Sequence, residues 1–206
     1  MKNFKKNKYV VIRSVLNEQT ANIIKQTFYI KDKALRTHME RRYISPYNND
    51  FGKLGDSQCT PETFCCYGDP LSDNLLTFIK PFLEKEHGGP LIETYSYVRI
   101  YQKGAILEKH KDRLSCEVSA TLCVEDNSWP IFLETEKGKE VKVDLHKGDI
   151  LIYRGCDLKH WRDANPFDTY AQIFLHFNST KTKNIEKYDG RPHLGLPNSY
   201  RGSSGV

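Results

Sequence analysis

The feature that most limits what this chain can fold into begins after Pro90, where short runs rich in β-branched and aromatic residues alternate with turn residues. Residues 92–102, 116–124, 131–134, 140–144, 150–153, 159–162 and 169–178 read as seven strands. Lys103-Gly104, Asp126-Asn127, Lys137-Gly138, Lys147-Gly148-Asp149 and Asn165-Pro166 mark turns between them. Strands following one another without helical patterns between them predict an antiparallel sandwich or barrel. In the second run Glu117, Ser119, Thr121 and Cys123 alternate with Val118, Ala120, Leu122 and Val124. That strand has one polar face, which meets either water or a lumen.

Ahead of the strands the period changes. Residues 17–25 have helical spacing that would put Ala21, Ile24 and Phe28 on one side, and residues 71–87 form the strongest helix pattern. In the latter, Ser72 is a candidate cap, Leu75, Leu76, Ile79, Phe82 and Leu83 make the apolar stripe, and Gly88-Gly89 stops the helix. Pro81 would kink or divide it. Residues 36–68 hold many Tyr, Asn, Gly and Pro without a period, the texture of a long irregular segment and a candidate lid. Helices first and strands afterwards predict an α+β chain: a jelly-roll barrel, or double-stranded β-helix, with N-terminal helices packed on it.

The length of 206 residues suits one domain. We divide it into helical and loop support with a lid (1–90), a jelly-roll core (91–178) and a C-terminal tail (179–206). With 38% hydrophobic and 28% charged residues the chain is globular. No apolar run reaches membrane-span length, and the lysine-rich start lacks the apolar block of a secretory signal, so no membrane association and a cytoplasmic location are expected. A net charge of +5 permits nucleic-acid binding without arguing for it. The six cysteines lack metal-finger spacing and are expected to be free thiols.

His110-Lys111-Asp112 carries the chemistry. Alternate residues of an extended segment point the same way, so His110 and Asp112 can reach one ion while Lys111 points elsewhere. His160, beyond the 150–153 run, offers a third ligand. Two imidazoles and one carboxylate on one side of an octahedral ion leave positions open, as in non-haem iron(II) oxygenases, whereas a closed structural zinc site takes four ligands and more thiolates.

The wording around these residues resembles a known family. Tyr-Ser-Tyr-Val-Arg-Ile-Tyr (95–101), His-Lys-Asp-Arg (110–113), Lys-Gly-Asp-Ile-Leu-Ile-Tyr (147–153) and His-Trp-Arg (160–162) resemble the 2-oxoglutarate and iron(II)-dependent oxygenases, particularly the prolyl-hydroxylase-like branch, over residues 95–177. The resemblance implies Fe(II) held by His110, Asp112 and His160, with 2-oxoglutarate and O2 as cosubstrates. It also implies a basic residue for the far carboxylate of 2-oxoglutarate, which that branch takes from positions that here are Thr169 and Tyr170. Neither can serve. Arg162, on the face of His160, is the first candidate and Arg99 the second, with Tyr101 and Thr121 as hydroxyl partners. The implied reaction is hydroxylation of a C–H bond, first of a peptidyl side chain such as proline. Alternatives are oxidative demethylation or hydroxylation of nucleic acid or a small molecule, or a catalytically silent jelly-roll binding module. Residues 36–68 and 187–201 are expected to flank the barrel mouth, with Arg41, Arg42, Tyr43 and Tyr47 facing the substrate.

Overall fold

The computed structural model describes residues 2–45 and 47–202; the side chains of Lys2, Asn3 and Pro61 lie outside that description. A short helix α1 (Lys2–Asn7) and strand β1 (Tyr9–Ile12) lead into α2 (Glu18–Glu40). The hairpin β2 (Lys53–Asp56) and β3 (Cys59–Tyr67) precedes α3 (Pro70–His87). Eight strands follow: β4 (Leu91–Gln102), β5 (Leu107–His110), β6 (Val118–Cys123), β7 (Ile131–Glu134), β8 (Glu140–Val143), β9 (Ile150–Tyr153), β10 (Lys159–Arg162) and β11 (Thr169–Ser179). A seven-stranded sheet has the order β1-β9-β6-β11-β4-β3-β2, and a four-stranded sheet the order β5-β10-β7-β8. All the pairings are antiparallel. From β4 to β11 the chain passes back and forth between the sheets, which is the jelly-roll path.

The pleat divides the large sheet into two environments. Val98 and Ile100 of β4, Val118, Ala120 and Leu122 of β6, Ile150 and Ile152 of β9, and Ile173, Leu175 and Phe177 of β11 join one apolar core. That core is completed by Ala21, Ile24, Phe28 and Leu35 of α2 and Leu75, Leu76, Ile79 and Leu83 of α3. The alternate residues face the small sheet. Cys123, Leu151 and Tyr153 pack there with Ile131, Leu133 and Val143, and Tyr101, Tyr170 and Phe174 with Trp129. The polar face read from β6 is therefore lumen: Ser119 and Thr121 are fully buried.

Several expectations change in detail. α2 is longer than its sequence pattern because its last turns pack Leu35 and Asp32 inward, so residues 36–40 are helix. Residues 53–67, expected to be irregular, form a hairpin on the edge of β4, its twist absorbed by a register shift between Leu54 and Asp56. In α3 Asp69, not Ser72, is the N-cap, accepting from Leu71 N; the Ser72 hydroxyl lies inside and bonds Ser96 Oγ at 2.7 Å. The helix runs unbroken through Pro81 to a left-handed Gly88 cap. The 116–124 run starts two residues late because Leu114–Cys116 closes a 3-10 turn. β1, β2, β3 and β5 had no separate signal; three of them, β1, β2 and β5, are four-residue edge strands.

Gly148 shows how the connections are fixed. It has φ +84, its carbonyl accepts from Val15 N and Leu16 N, and a Cβ there would collide with the Leu16 carbonyl oxygen. Gly138 also has positive φ (+73) but nothing stands within 4 Å of its added Cβ. Thermal melts should show Gly148→Ala destabilised by about 1–3 kcal/mol or more, and clearly beyond Gly138→Ala, which carries the backbone strain without the collision.

Candidate metal centre

The register of the small sheet places the first two expected ligands face to face. His160 on β10 is the direct partner of His110 on β5, and the ring centroids are 4.3 Å apart. Asp112 lies two residues past the end of β5, its N–H donating to Gly155 O at 3.0 Å. Asp112 Oδ1 stands 3.5 Å from His110 Nε2 and 3.4 Å from His160 Nε2. The three ligand atoms lie within 4.8 Å of one another.

Both imidazoles are set for coordination. His110 Nδ1 bonds Glu108 O at 2.6 Å and His160 Nδ1 bonds Leu158 O at 3.1 Å. A carbonyl only accepts, so each ring donates from Nδ1, and the neutral ring keeps its Nε2 lone pair for the shared point. Burial opposes charge on Asp112 and on His110. Their mutual hydrogen bonding nonetheless holds the Asp112 carboxyl well below its ordinary range and His110 above its own.

Around the ligands stands a second set of side chains. Ser119 Oγ donates to Asp112 Oδ2 at 2.6 Å and lies 3.1 Å from His176 Nδ1. His176 packs against Tyr95 at a tilt, with centroids 4.5 Å apart, and burial pushes its pKa down to about 4, so the ring is neutral at pH 7. The Tyr95 hydroxyl meets Cys116 Sγ at 3.1 Å. Arg113 turns away from the ligands onto Asp189 of the tail, through bonds of 2.9 and 2.6 Å. The period-2 polarity of β6 pointed to Ser119 and the motif at 95–101 begins with Tyr95, whereas Cys116, Gly155 and Asp189 had no sequence signal as site residues, because each acts only through a neighbour brought to it by the fold.

A cleft of about 720 Å³ opens over this centre. His110, Asp112, His160 and Arg99 line it, with Tyr97, Tyr153, Phe174 and His176 as aromatic wall. Both segments expected at the mouth are there: Lys53, Asp56, Ser57 and Gln58 from the hairpin, and Asn198, Ser199 and Arg201 from the tail. None of Arg41, Arg42, Tyr43 and Tyr47 is among the lining residues; Tyr47 is 90% exposed.

The expected anchor residues separate into two groups. Arg99 binds Asp56 Oδ2 through Nε (2.9 Å) and Nη2 (2.6 Å), Gln58 Oε1 at 2.8 Å and the Tyr101 hydroxyl at 3.2 Å. Arg162 is 2% exposed behind the cleft wall and, among the described residues, binds only neutral acceptors, the Trp129 carbonyl and Gln172 Oε1. Gln172 is the cross-strand partner of Arg99, so the two arginines bracket it. Arg162 Nε and Thr121 Oγ1 are both buried without a hydrogen-bond partner among the described residues.

No protein-family model matches the chain, and no curated protein matches it in sequence. Solved structures match it in shape. A prolyl-4-hydroxylase of Pseudomonas putida aligns at TM-score 0.58 and 14% identity, over 86% of this chain and 96% of that one. The epimerase SnoN in complex with Fe3+, α-ketoglutarate and nogalamycin RO aligns at TM-score 0.61 and 14% identity, over 95% and 93%. The chain has the jelly-roll fold of the 2-oxoglutarate oxygenases. A third example with this oxygenase fold is a Trichoplax adhaerens prolyl hydroxylase in complex with a hypoxia inducible factor peptide fragment, at TM-score 0.59, 14% identity, and 85% and 86% coverage. At such identities the likeness is one of fold.

Gly155 tests how tightly the centre is built. A Cβ there would collide with Asp112 Oδ2 and crowd Cys116 O at 2.5 Å and Ser119 Oγ at 2.6 Å. Gly155→Ala is expected to displace Asp112 and weaken Mn(II) or Fe(II) binding about 10-fold to 100-fold, the usual effect of disturbing a ligand's support. Calorimetric metal titration, with circular dichroism to verify the fold, measures it.

Proposed function

We propose that this protein is an iron(II)- and 2-oxoglutarate-dependent dioxygenase that hydroxylates a C–H bond, with His110, Asp112 and His160 as the iron ligands. The observation that carries this reading is the convergence of His110 Nε2, His160 Nε2 and Asp112 Oδ1 at the floor of an open cleft. The donor set fits ferrous iron: two imidazole nitrogens and one carboxylate oxygen, all on one side. No thiol belongs to that set, and Cys116, which groups with Asp112 and His176 instead, is engaged by the Tyr95 hydroxyl, which argues against a structural zinc.

The chain also fits the cosubstrate. A buried guanidinium is costly unless an anion meets it. Among the described residues Arg162 has no acidic partner, whereas Arg99 already holds Asp56. Arg162, with its spare Nε and the spare Thr121 hydroxyl, is assigned to the far carboxylate of 2-oxoglutarate. Arg99 and Tyr101 then form the adjoining wall. Tyr101 accepts from Arg99 and keeps its own proton to donate.

When bound, iron, 2-oxoglutarate and O2 supply the oxidising chemistry, with succinate and carbon dioxide as the cosubstrate's products, while the protein supplies position and shelter. Ser119 fixes the Asp112 carboxylate by donating to Oδ2, leaving Oδ1 for the ion. His176, held neutral, adds no positive charge to the centre. Tyr153, Phe174 and Leu107 keep water from its flanks.

The substrate assigned is a peptidyl side chain, with proline first. Support comes from the cleft walled by an edge hairpin and the tail, and from the peptide-bound hydroxylase of the same fold.

Asp112→Ala should abolish conversion of 2-oxoglutarate to succinate and iron(II) binding while the fold persists; turnover at the parent rate would overturn the ligand assignment. Arg162→Met should raise the 2-oxoglutarate constant roughly 30-fold to several thousand-fold, the usual 2 to 5 kcal/mol for removing one partner of a buried charge pair, with metal affinity unchanged. An unchanged constant there, beside a large rise in Arg99→Met, would move the anchor to Arg99. At the mouth, Lys53→Ala with Ser57→Ala should lower peptide hydroxylation yet leave peptide-free 2-oxoglutarate turnover intact. Truncation after Glu186 should instead lower both, because Asp189 binds Arg113 beside the ligands and Arg191 binds Asp73 at 2.8 Å.

A further inference from the structure

The hairpin that walls the cleft contains a pair of cysteines with no part in the centre described above. Between Leu54↔Phe64 and Asp56↔Cys59 the register of β2 against β3 jumps, so residues 60–63 of β3 stand against Gly55 alone. This bulge brings Cys59 and Cys65, six positions apart, to a Sγ–Sγ distance of 3.8 Å. A disulfide, whose S–S length is about 2.05 Å, asks the two sulfurs to approach further from this near-contact. Cys65 is buried and lines the cleft; Cys59 is partly exposed.

The surroundings divide the two thiols by role. Hydrogen bonding from Cys65, against burial, and the nearby Arg99 guanidinium hold the Cys59 thiol below its ordinary range. Its hydrogen bond with Cys59 and burial push the Cys65 thiol up. A depressed, accessible thiol beside a buried partner is the arrangement of an attacking and a resolving cysteine. Asp56 completes a cluster in which three ligating atoms lie within 4.8 Å of one another. A metal is poorly served there. Asp56 Oδ2 already accepts from Arg99 Nε and Nη2 and from the Tyr97 hydroxyl at 2.9 Å, so a cation would have to displace a guanidinium.

We propose that Cys59 and Cys65 are a reversible dithiol–disulfide site oxidised by hydroperoxides. The Cys59 thiolate attacks the terminal peroxide oxygen; the O–O bond breaks, the alcohol leaves with a proton, and Cys59 becomes a sulfenic acid. The Cys65 sulfur then attacks the Cys59 sulfur, the S–O bond breaks, and water leaves with the thiol proton. In sum two thiols and one hydroperoxide give one disulfide, one alcohol and one water. The product closes the bulged stretch of β3 between Cys59 and Cys65, in the hairpin that carries Asp56, Ser57 and Gln58 into the cleft, and removes the Cys65 donor to Asp56, which stands at 3.5 Å.

The test treats the reduced 206-residue chain, with metal removed by chelator, with hydrogen peroxide. Cleavage after Glu62 separates the two cysteines unless a disulfide joins the fragments. The expected result is a joined Cys59–Cys65 product, reversed by dithiothreitol, forming roughly tenfold faster than oxidation at half-exposed Cys156. Cys66→Ser should leave the product unchanged, and Cys65→Ser should leave a sulfenic acid at Cys59 that dimedone captures. A disulfide that uses Cys66, or oxidation of Cys156 as fast as of Cys59, would overturn the proposal. So would a Cys65→Ser protein with no dimedone adduct at Cys59.

Discussion

A slip of one residue between β10 and β5 would turn His160 and Arg162 out of the barrel together, since side chains of a strand alternate faces. In the observed register His160 stands opposite His110, and Arg162 opposite Leu107 after a local shift. Everything in the centre depends on that pairing. The Nε2 atoms can meet Asp112 only because both rings leave the same face of neighbouring strands, while carbonyls two residues earlier in the chain fix the ring orientation. Pairing of β10 with β7, Leu133 opposite His160, holds the register from the other side.

Charge is distributed in the interior by a consistent rule. Arg99 meets Asp56, Arg113 meets Asp189, and Arg191 meets Asp73, each pair combining a guanidinium with a mostly or wholly buried carboxylate. Such pairs gain little net stability over apolar packing, but breaking one strands a charge, so they fix geometry strongly. Two of these three pairs tie the tail to the body of the domain. Tyr188 and Asp189 both adopt left-handed backbone (φ 56 and 57), a strained arrangement for non-glycine residues that the bonds from Tyr67, Arg113 and Arg201 to Asp189 maintain. Arg162 departs from the rule, and the departure is what marks it.

The same physical division runs through the large sheet. One face is aliphatic and dry against α2 and α3, and the other bears Ser119, Thr121, Arg99, Gln172 and His176, all buried. A buried polar face is tolerated only where its groups bond one another or a ligand. Most do: Gln172 Nε2 donates to Leu122 O at 2.7 Å, and Ser119 serves Asp112. Thr121 Oγ1 and Arg162 Nε do not, and both face the interior assigned to the cosubstrate.

By itself the sequence determined the periods. Strands at 131–134, 150–153 and 159–162 coincide with β7, β9 and β10: Ile-Leu-Ile-Tyr is an apolar run set off by Gly148-Asp149 and Gly155, Ile-Phe-Leu-Glu follows Pro130, and Lys-His-Trp-Arg ends before Asp163 and the Asn165-Pro166 turn. The spacing His110-x-Asp112 likewise restricts both side chains to one direction, and of the expected α3 stripe Leu75, Leu76, Ile79 and Leu83 are buried, while Phe82 stays 40% exposed because it lies off the face that meets the sheet. Tertiary structure alone decided what depends on partners far along the chain. The hairpin at 53–67 is strand because the edge of β4 offers it hydrogen bonds, and α2 extends because a core waits for Leu35. Asp69 displaced Ser72 as cap once Ser72 found Ser96. Which arginine lies buried without an acid was undecidable from 99 and 162 themselves, since it turns on Asp56, 43 positions from Arg99 in the chain and 2.6 Å from it in space.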